Sequence, residues 1–222
     1  MTPRAVIFDL FGTLVPTYTA QNTNRKIAAT LGVSEASYEE VLAASAEDRY
    51  RGKFCTVEAM FEHSFVLLGL AYDKRLLDEI VAYRLEATRL NLRPRADAVR
   101  TLKRLKQAGF KLGLLSDSSP DVPPLYAETP FAKGVDASIF SCLVKLKKPD
   151  PDVYNLVCKE LGVIPEQYVY VGDGGSRELS GARAVGMRPI LLRVPKGETV
   201  QPEAKAWRGG AVDLLGELTF RY

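Results

Sequence analysis

The part of the chain after Pro94 alternates short apolar runs with amphipathic segments, and this alternation limits the fold more than any other feature. The apolar runs predict strands at 111–115, 139–144, 168–171 and 189–194. The segments between them predict helices at 96–108, 152–161 and 176–185. Strands that alternate with helices form right-handed crossovers and a parallel sheet. With a further apolar run at 5–10, the sequence predicts an α/β, Rossmann-like core of about five parallel strands.

Residues 16–92 differ from the rest of the chain, because helical periodicity replaces the alternation of strands and helices. Apolar residues recur there at three- and four-residue intervals, for example at Leu76, Leu77, Ile80 and Val81, and Gly52 interrupts the pattern. We therefore expect about four helices inserted into the core. The predicted domains are a core of residues 1–15 and 93–222 and a helical cap of residues 16–92. The segment after Lys196 has no pattern that predicts its structure.

The composition limits the classes of protein to which the chain belongs. Hydrophobic residues make up 46% and charged residues 26%, as in an ordinary globular protein, and the small, dispersed net charge of +3 predicts no nucleic-acid partner. No apolar stretch approaches the roughly 20 residues of a membrane helix, and the first residues lack the layout of a signal peptide. The three separate cysteines and the single histidine predict no zinc site. We expect a cytoplasmic protein, monomeric or homodimeric, with no membrane partner.

Polar side chains occur where the predicted strands end. There are four such clusters, which in chain order are Asp9, Ser116 with Asp117, Lys148, and Asp173 with Glu178. In an open parallel sheet, ligands bind outside the carboxyl ends of the strands. A single acid after a strand is often only a helix cap, but four clusters in this order predict a shared site.

Three segments carry a resemblance to a known family. FDLFGTLV at 8–15, KPDPDVY at 148–154 and VGDGGSRELSGARAVGM at 171–187 resemble motifs of the haloacid dehalogenase-like (HAD) hydrolase superfamily, in its branch with a helical cap. The resemblance covers residues 4–15 and 94–194. The intervening segment resembles the cap inserted after the first motif, and RGKFCTVEAMFE at 51–62 resembles a cap loop that helps to select the substrate. The resemblance implies a hydrolase acting on a small anionic molecule.

The resemblance also implies a role for each cluster. Asp9 attacks the substrate and forms a covalent intermediate, Ser116 hydrogen-bonds the transferred group, and Lys148 neutralises its charge. The Mg²⁺ ligands implied are Asp9, Asp173, Glu178 directly or through water, and the backbone carbonyl of Phe11. The substrate contacts that we expect are Phe11, Gly12, Thr13, Asp117, Arg51 and Lys53, with Arg49 as a further cap cation. Electrostatics favours the same roles, because a carboxylate attacks a phosphate dianion only when cations offset the repulsion.

The sequence departs from the phosphatase pattern at Phe11. Phosphatases of the superfamily usually carry a second aspartate there, which protonates the leaving group and then activates water, typically a 10²–10⁴-fold contribution. A phenylalanine does neither. The acid/base step is therefore in question, whereas the metal site requires only the backbone carbonyl of this residue.

Four interpretations follow from Phe11. The main one is a Mg²⁺-dependent phosphatase that is slow or prefers good leaving groups such as acyl phosphates. A 2-haloacid dehalogenase fits the aromatic residue but lacks the metal-binding acids that this chain retains. A phosphonoacetaldehyde hydrolase-like enzyme that cleaves a C–P bond would use a cap lysine such as Lys53. A degenerate binding or scaffold protein would have no need of all four clusters.

Overall fold

The central element of the fold is a fully parallel sheet of six strands. The structure, a computed structural model, describes residues 3–19 and 21–220. The strands are β1 (Ala5–Phe8), β2 (Lys111–Ser116), β3 (Ala137–Phe140), β4 (Tyr168–Gly172), β5 (Arg188–Leu192) and β6 (Gly210–Val212). They lie in the order β3-β2-β1-β4-β5-β6, and every neighbouring pair is parallel. The chain moves outward from β1 on one side and then crosses to β4 on the other, so the strand order reverses between β1 and β4, where such folds bind ligands.

Helices cover both faces of this sheet, as the predicted α/β fold requires. Within the described part of the core they are α6 (Ala98–Gln107), α7 (Val122–Ala127), α8 (Ser141–Val144), α9 (Pro151–Leu161), α10 (Glu178–Ala184) and α11 (Pro202–Ala206). Because successive strand residues point to opposite faces, Val6 and Phe8 pack in one apolar cluster and Ala5 and Ile7 in another. All four are fully buried, which explains why β1 reads as an unbroken apolar run.

Two details of the core differ from the sequence prediction. The apolar run at 139–144 divides, because β3 stops at Phe140 and the next four residues form the helical turn α8. Ser141 at the start of this turn accepts a hydrogen bond from the Ser118 amide, and Lys145 ends the turn with φ of 61°. A short apolar run does not distinguish a strand from a buried helical turn. The sixth strand, β6, lies in the segment for which the sequence predicted nothing.

The residues between β1 and α6 form helices with an apolar cluster of their own. These helices are α1 (Gln21–Leu31), α2 (Glu35–Ala44), α3 (Ala46–Tyr50), α4 (Val57–Leu67) and α5 (Lys74–Asn91). Ser34, Thr56 and Asp73 cap three of them, each side chain accepting a hydrogen bond from a first-turn amide. The sequence predicted about four helices, and the fifth is the single short turn α3. The domain boundaries at residues 15 and 93 stay a prediction.

Polar contacts hold the cap helices and the loop after Asp9 to the core. Arg84 on α5 donates to buried Asp121 at the start of α7, with 2.8 Å between Nε and Oδ2. Arg95, which follows the last cap helix, donates to the carbonyls of Gly12 and Thr13 and forms an ion pair with Glu198. The cap and the loop after Asp9 are therefore held to the same framework. Among the described residues, no helix has the length and apolarity needed to cross a membrane.

Candidate active site

Asp9 lies at the carboxyl end of β1, in the middle of the sheet, and is 5% exposed. Its Oδ1 accepts a hydrogen bond from Lys148 Nζ at 2.6 Å, and its Oδ2 accepts one from Thr13 Oγ1 at 3.2 Å. Burial raises the pKa of Asp9, and the Lys148 ammonium group opposes that rise. The two donors fix the orientation of the carboxylate.

Three carboxylates converge at the reversal point of the sheet. Ligand oxygens of Asp9, Asp173 and Glu178 all lie within 4.8 Å of one another. Burial, and then the charge of Asp9, raises the pKa of Asp173 to about 6 and that of Glu178 to about 8. Burial would lower the pKa of Lys148, but the charges of Asp9, Glu178 and Asp117 hold it well above its usual range. One ammonium group therefore faces three acids, which is an environment that favours a further cation.

The donor set fits Mg²⁺, because it consists of carboxylate oxygens, the ligands that this ion prefers. Asp173 lies directly against the loop that follows Asp9: a Cβ atom on Gly12, whose φ is +81°, would be 2.1 Å from Asp173 Oδ2. Glu178 has less free capacity. One of its oxygens accepts from Lys148 and Tyr170, and the other accepts from the Gly174 amide. Asp9 and Asp173 are thus the better direct ligands, and Glu178 is suited to a bond through water.

The structure brings most of the predicted site residues together. Asp117 lines the cleft, accepts a hydrogen bond from the Lys148 amide through Oδ1, and has no partner for Oδ2 among the described residues. Ser116 ends β2 beside it and is 1% exposed, and within the same described part of the chain its hydroxyl is also unpartnered. Phe11 forms one wall of the cleft, in edge-to-face contact with Tyr18 at 5.4 Å between ring centroids.

Two predicted cap residues lie away from this cleft. Arg51 pairs with Glu47 and is 48% exposed, and Lys53 pairs with Asp48 and is 51% exposed. Gly52 between them has φ of +69° and turns the chain immediately after α3. The structure therefore brings neither side chain to the carboxylates.

The cleft above the carboxylates has a volume of about 380 Å³ and is lined by both domains. Arg49, which the sequence analysis considered, faces it. Other lining residues were missed, among them Tyr18, Asn24, Arg84 and Gln201. Arg84 had a detectable signal, because it occupies the buried face of α5, where a charged residue is rare unless it has a partner. Gln201, which contacts Asp173, lies in the segment without a readable pattern.

The family to which the chain belongs follows from its match to a family model. The model of the haloacid dehalogenase-like hydrolases matches residues 3–186, which include β1, the cap helices and the strand-end residues described above. The chain belongs to this family. It is therefore a hydrolase, and the resemblance seen in the sequence motifs is confirmed.

Members of this hydrolase family with different named activities are similar to the chain. A glyceraldehyde 3-phosphate phosphatase of Methanopyrus kandleri is 26% identical over 90% of this chain and 88% of its own length. An (S)-2-haloacid dehalogenase of a Pseudomonas species is 30% identical over 85% of this chain and 84% of its own. The solved structure of a HAD phosphatase from Thermococcus onnurineus superimposes with a TM-score of 0.65 at 25% identity, covering 96% and 95% of the two chains.

Proposed function

We propose that this hydrolase is a Mg²⁺-dependent phosphatase of a small phosphorylated metabolite. The observation that carries the proposal is the convergence of Asp9, Asp173 and Glu178 around a single lysine. Burial, and then the charge of Asp9, raises the pKa values of Asp173 and Glu178, and a bound cation would offset both effects. The phosphatases among the relatives add support. The cytoplasmic location, the monomeric or homodimeric state and the lack of nucleic-acid or membrane partners stay predictions.

In the proposed reaction, an Asp9 oxygen attacks phosphorus, the P–O bond to the alcohol breaks, and an aspartyl phosphate forms. Water then attacks phosphorus, which releases phosphate and restores the carboxylate. Lys148 offsets the negative charge of the transferring group, and the unpartnered hydroxyl of Ser116 is a donor available to its oxygens. Mg²⁺, when held by Asp9, Asp173 and the Phe11 carbonyl, would supply further charge neutralisation.

Phe11 determines which leaving groups react well. Because position 11, two residues after the nucleophile, holds a phenylalanine, it offers no carboxylic acid to protonate a departing alkoxide. The ring packs against Tyr18 instead. Acyl and aryl phosphates depart without that proton. We therefore expect them to react faster than esters of simple alcohols.

A 2-haloacid dehalogenase is the second candidate, and Phe11 is the observation that favours it. A departing halide needs no proton, and an aromatic wall formed by Phe11 and Tyr18 suits a halogen-bearing carbon. In this reaction an Asp9 oxygen displaces the halide from carbon, and water then hydrolyses the resulting ester. Lys148 would hold Asp9 in place, as its short contact allows.

One screen separates these functions. The purified protein is assayed with acetyl phosphate, p-nitrophenyl phosphate, glyceraldehyde 3-phosphate and 2-chloropropionate, each with Mg²⁺ and with EDTA. The phosphatase proposal expects phosphate release that requires Mg²⁺. Chloride release that persists in EDTA, without phosphate release, would replace it with the dehalogenase. No turnover of any substrate by a correctly folded protein would reject both in favour of a binding role.

A further inference from the structure

Tyr18, Arg49 and Arg84 line the cleft from the segment between β1 and α6, and we call these three residues the cap wall. All three present hydrogen-bond donors. Arg84 is already neutralised, because its guanidinium pairs with the buried carboxylate of Asp121. Tyr18 packs between Phe11 and Arg84, with its ring centroid 5.0 Å from the Arg84 Cζ atom. The cap wall therefore lies near the reaction centre but is separate from the carboxylates that would hold the metal.

Arg49 is a buried cation without a counter-ion. It is 7% exposed, and its one hydrogen bond among the described residues runs from Nη2 to the Leu42 carbonyl at 2.7 Å. Its Nε is buried and unpartnered, and within residues 3–19 and 21–220 no carboxylate forms an ion pair with it. Burial lowers the pKa of Arg49 and the neighbouring Arg84 lowers it further, but a guanidinium group stays charged at neutral pH. A buried charge normally has a partner.

The Tyr18 hydroxyl is a second donor on this wall, and the Thr88 hydroxyl beside it donates its own proton to Asp121. The Tyr18 hydroxyl is buried, and within the described part of the chain it makes no hydrogen bond of normal geometry. Burial raises its pKa, so the phenol keeps its proton at neutral pH. A ligand that completes this wall must therefore bring an acceptor with negative charge. Because Arg84 is balanced by Asp121, the surplus on the wall is one positive charge, which matches a carboxylate better than a phosphate dianion.

We propose that Arg49 and Tyr18 bind a carboxylate of the substrate, so that the preferred substrate is a short phosphorylated carboxylic acid. This inference rests on the proposed phosphatase function and names its substrate class. Asp9 and Lys148 receive the phosphate at one end of the cleft, and the cap wall receives the carboxylate at the other. A cleft of about 380 Å³ accommodates only a small molecule of this kind.

Three substrates with one carbon skeleton test the proposal. 3-Phosphoglycerate, glyceraldehyde 3-phosphate and glycerol 3-phosphate carry a carboxylate, an aldehyde and a hydroxymethyl group at the same position. We expect kcat/KM with Mg²⁺ to be about 10- to 100-fold higher for 3-phosphoglycerate, the range of a charge-assisted hydrogen bond. Arg49→Gln should remove that preference, mainly by raising KM for 3-phosphoglycerate. Arg49→Lys, which keeps the charge, should retain part of it.

The matched control is Arg25→Gln, since Arg25 is a cap arginine that is 73% exposed and pairs only with Glu35 among the described residues. It should keep the full preference, and thermal unfolding shows whether each variant is folded. Equal kcat/KM for the three substrates, or a preference that survives both Arg49 variants, would overturn the inference while the phosphatase function stands.

If the wild type hydrolyses neither the three esters nor acetyl phosphate, the proposed function fails, and calorimetry with Asp9→Asn still decides the inference. That variant must bind 3-phosphoglycerate at least 10-fold more tightly than glycerol 3-phosphate, and the added Arg49→Gln change must remove the difference. Equal affinities would reject the carboxylate site.

Discussion

Replacing Phe11 with aspartate supplies the acid that phosphoryl transfer to a poor leaving group lacks at this site. Position 11 is two residues from Asp9 on the same loop and faces the cleft. A carboxylic acid that reaches the leaving oxygen should accelerate hydrolysis of glycerol 3-phosphate by up to ~10²-fold, or about 2.7 kcal/mol of barrier. p-Nitrophenyl phosphate, whose leaving group needs little protonation, should change by less than about threefold.

Replacing Phe11 should also lower the free energy of unfolding, by an amount that follows from the packing of its ring. Phe11 is half-buried and packs edge-to-face on Tyr18. Removing the ring should lower the free energy of unfolding by about 2 kcal/mol, roughly half the loss for a fully buried phenylalanine. The added carboxylate joins Asp9, Asp173 and Glu178, so Mg²⁺ should bind more tightly in Phe11→Asp than in the wild type.

The assay compares Phe11→Asp with Phe11→Asn, which has the same size and opens the same space but cannot carry a proton to the leaving group. Both are measured on the two phosphate esters with Mg²⁺ across pH, and on 2-chloropropionate. If asparagine accelerates glycerol 3-phosphate hydrolysis as much as aspartate does, the gain comes from space and the acid/base argument is wrong. If the wild type is a dehalogenase, the aspartate should instead abolish chloride release, because it places a charge in an apolar cleft.

Three further predictions concern the nucleophile, the acid cluster and the contact between cap and core. Asp9→Asn should abolish turnover and prevent labelling of the protein by a phosphoryl or carboxyalkyl group in mass spectrometry; retained turnover would exclude covalent catalysis by Asp9. In EDTA, the free energy of unfolding should fall as pH rises from about 4.5 to 8. The pKa of Asp173 is raised to about 6 and that of Glu178 to about 8. Over this pH range the folded state therefore holds protons that the unfolded state has already released. Mg²⁺ should therefore raise the unfolding temperature more at pH 8 than at pH 5.5, and an equal shift at both would contradict this. Arg84→Met should cost about 3–5 kcal/mol in denaturant unfolding because Asp121 loses its buried partner, and adding Asp121→Leu should recover much of the loss.

Short-range patterns predicted the elements of the core and the polar residues that the structure brings together at the ends of the strands. The run that forms β1 is apolar at every position because both of its faces are covered, and Asp9 directly follows it. A parallel sheet aligns the carboxyl ends of its strands, so the order of Asp9, Ser116 and Asp173 along the chain was enough to predict a common site. Lys148 follows the helical turn α8 and not the strand that the sequence had predicted, yet its ammonium group still reaches Asp9. The splitting of the run at 139–144 was not predictable, since Ser118, to which α8 is hydrogen-bonded, is distant in sequence.

The sequence by itself thus determined the fold class and which polar residues lie near the ends of strands, because both follow from residue types at fixed local intervals. Only the tertiary structure decided which cap cation lines the cleft. Arg49 and Arg51 are two residues apart on and after the same short helix, yet one is buried in the cleft and the other is paired with Glu47 at the surface. Residues two apart on a helix point to different faces. The packing of α3 against the core determines which of these faces is buried.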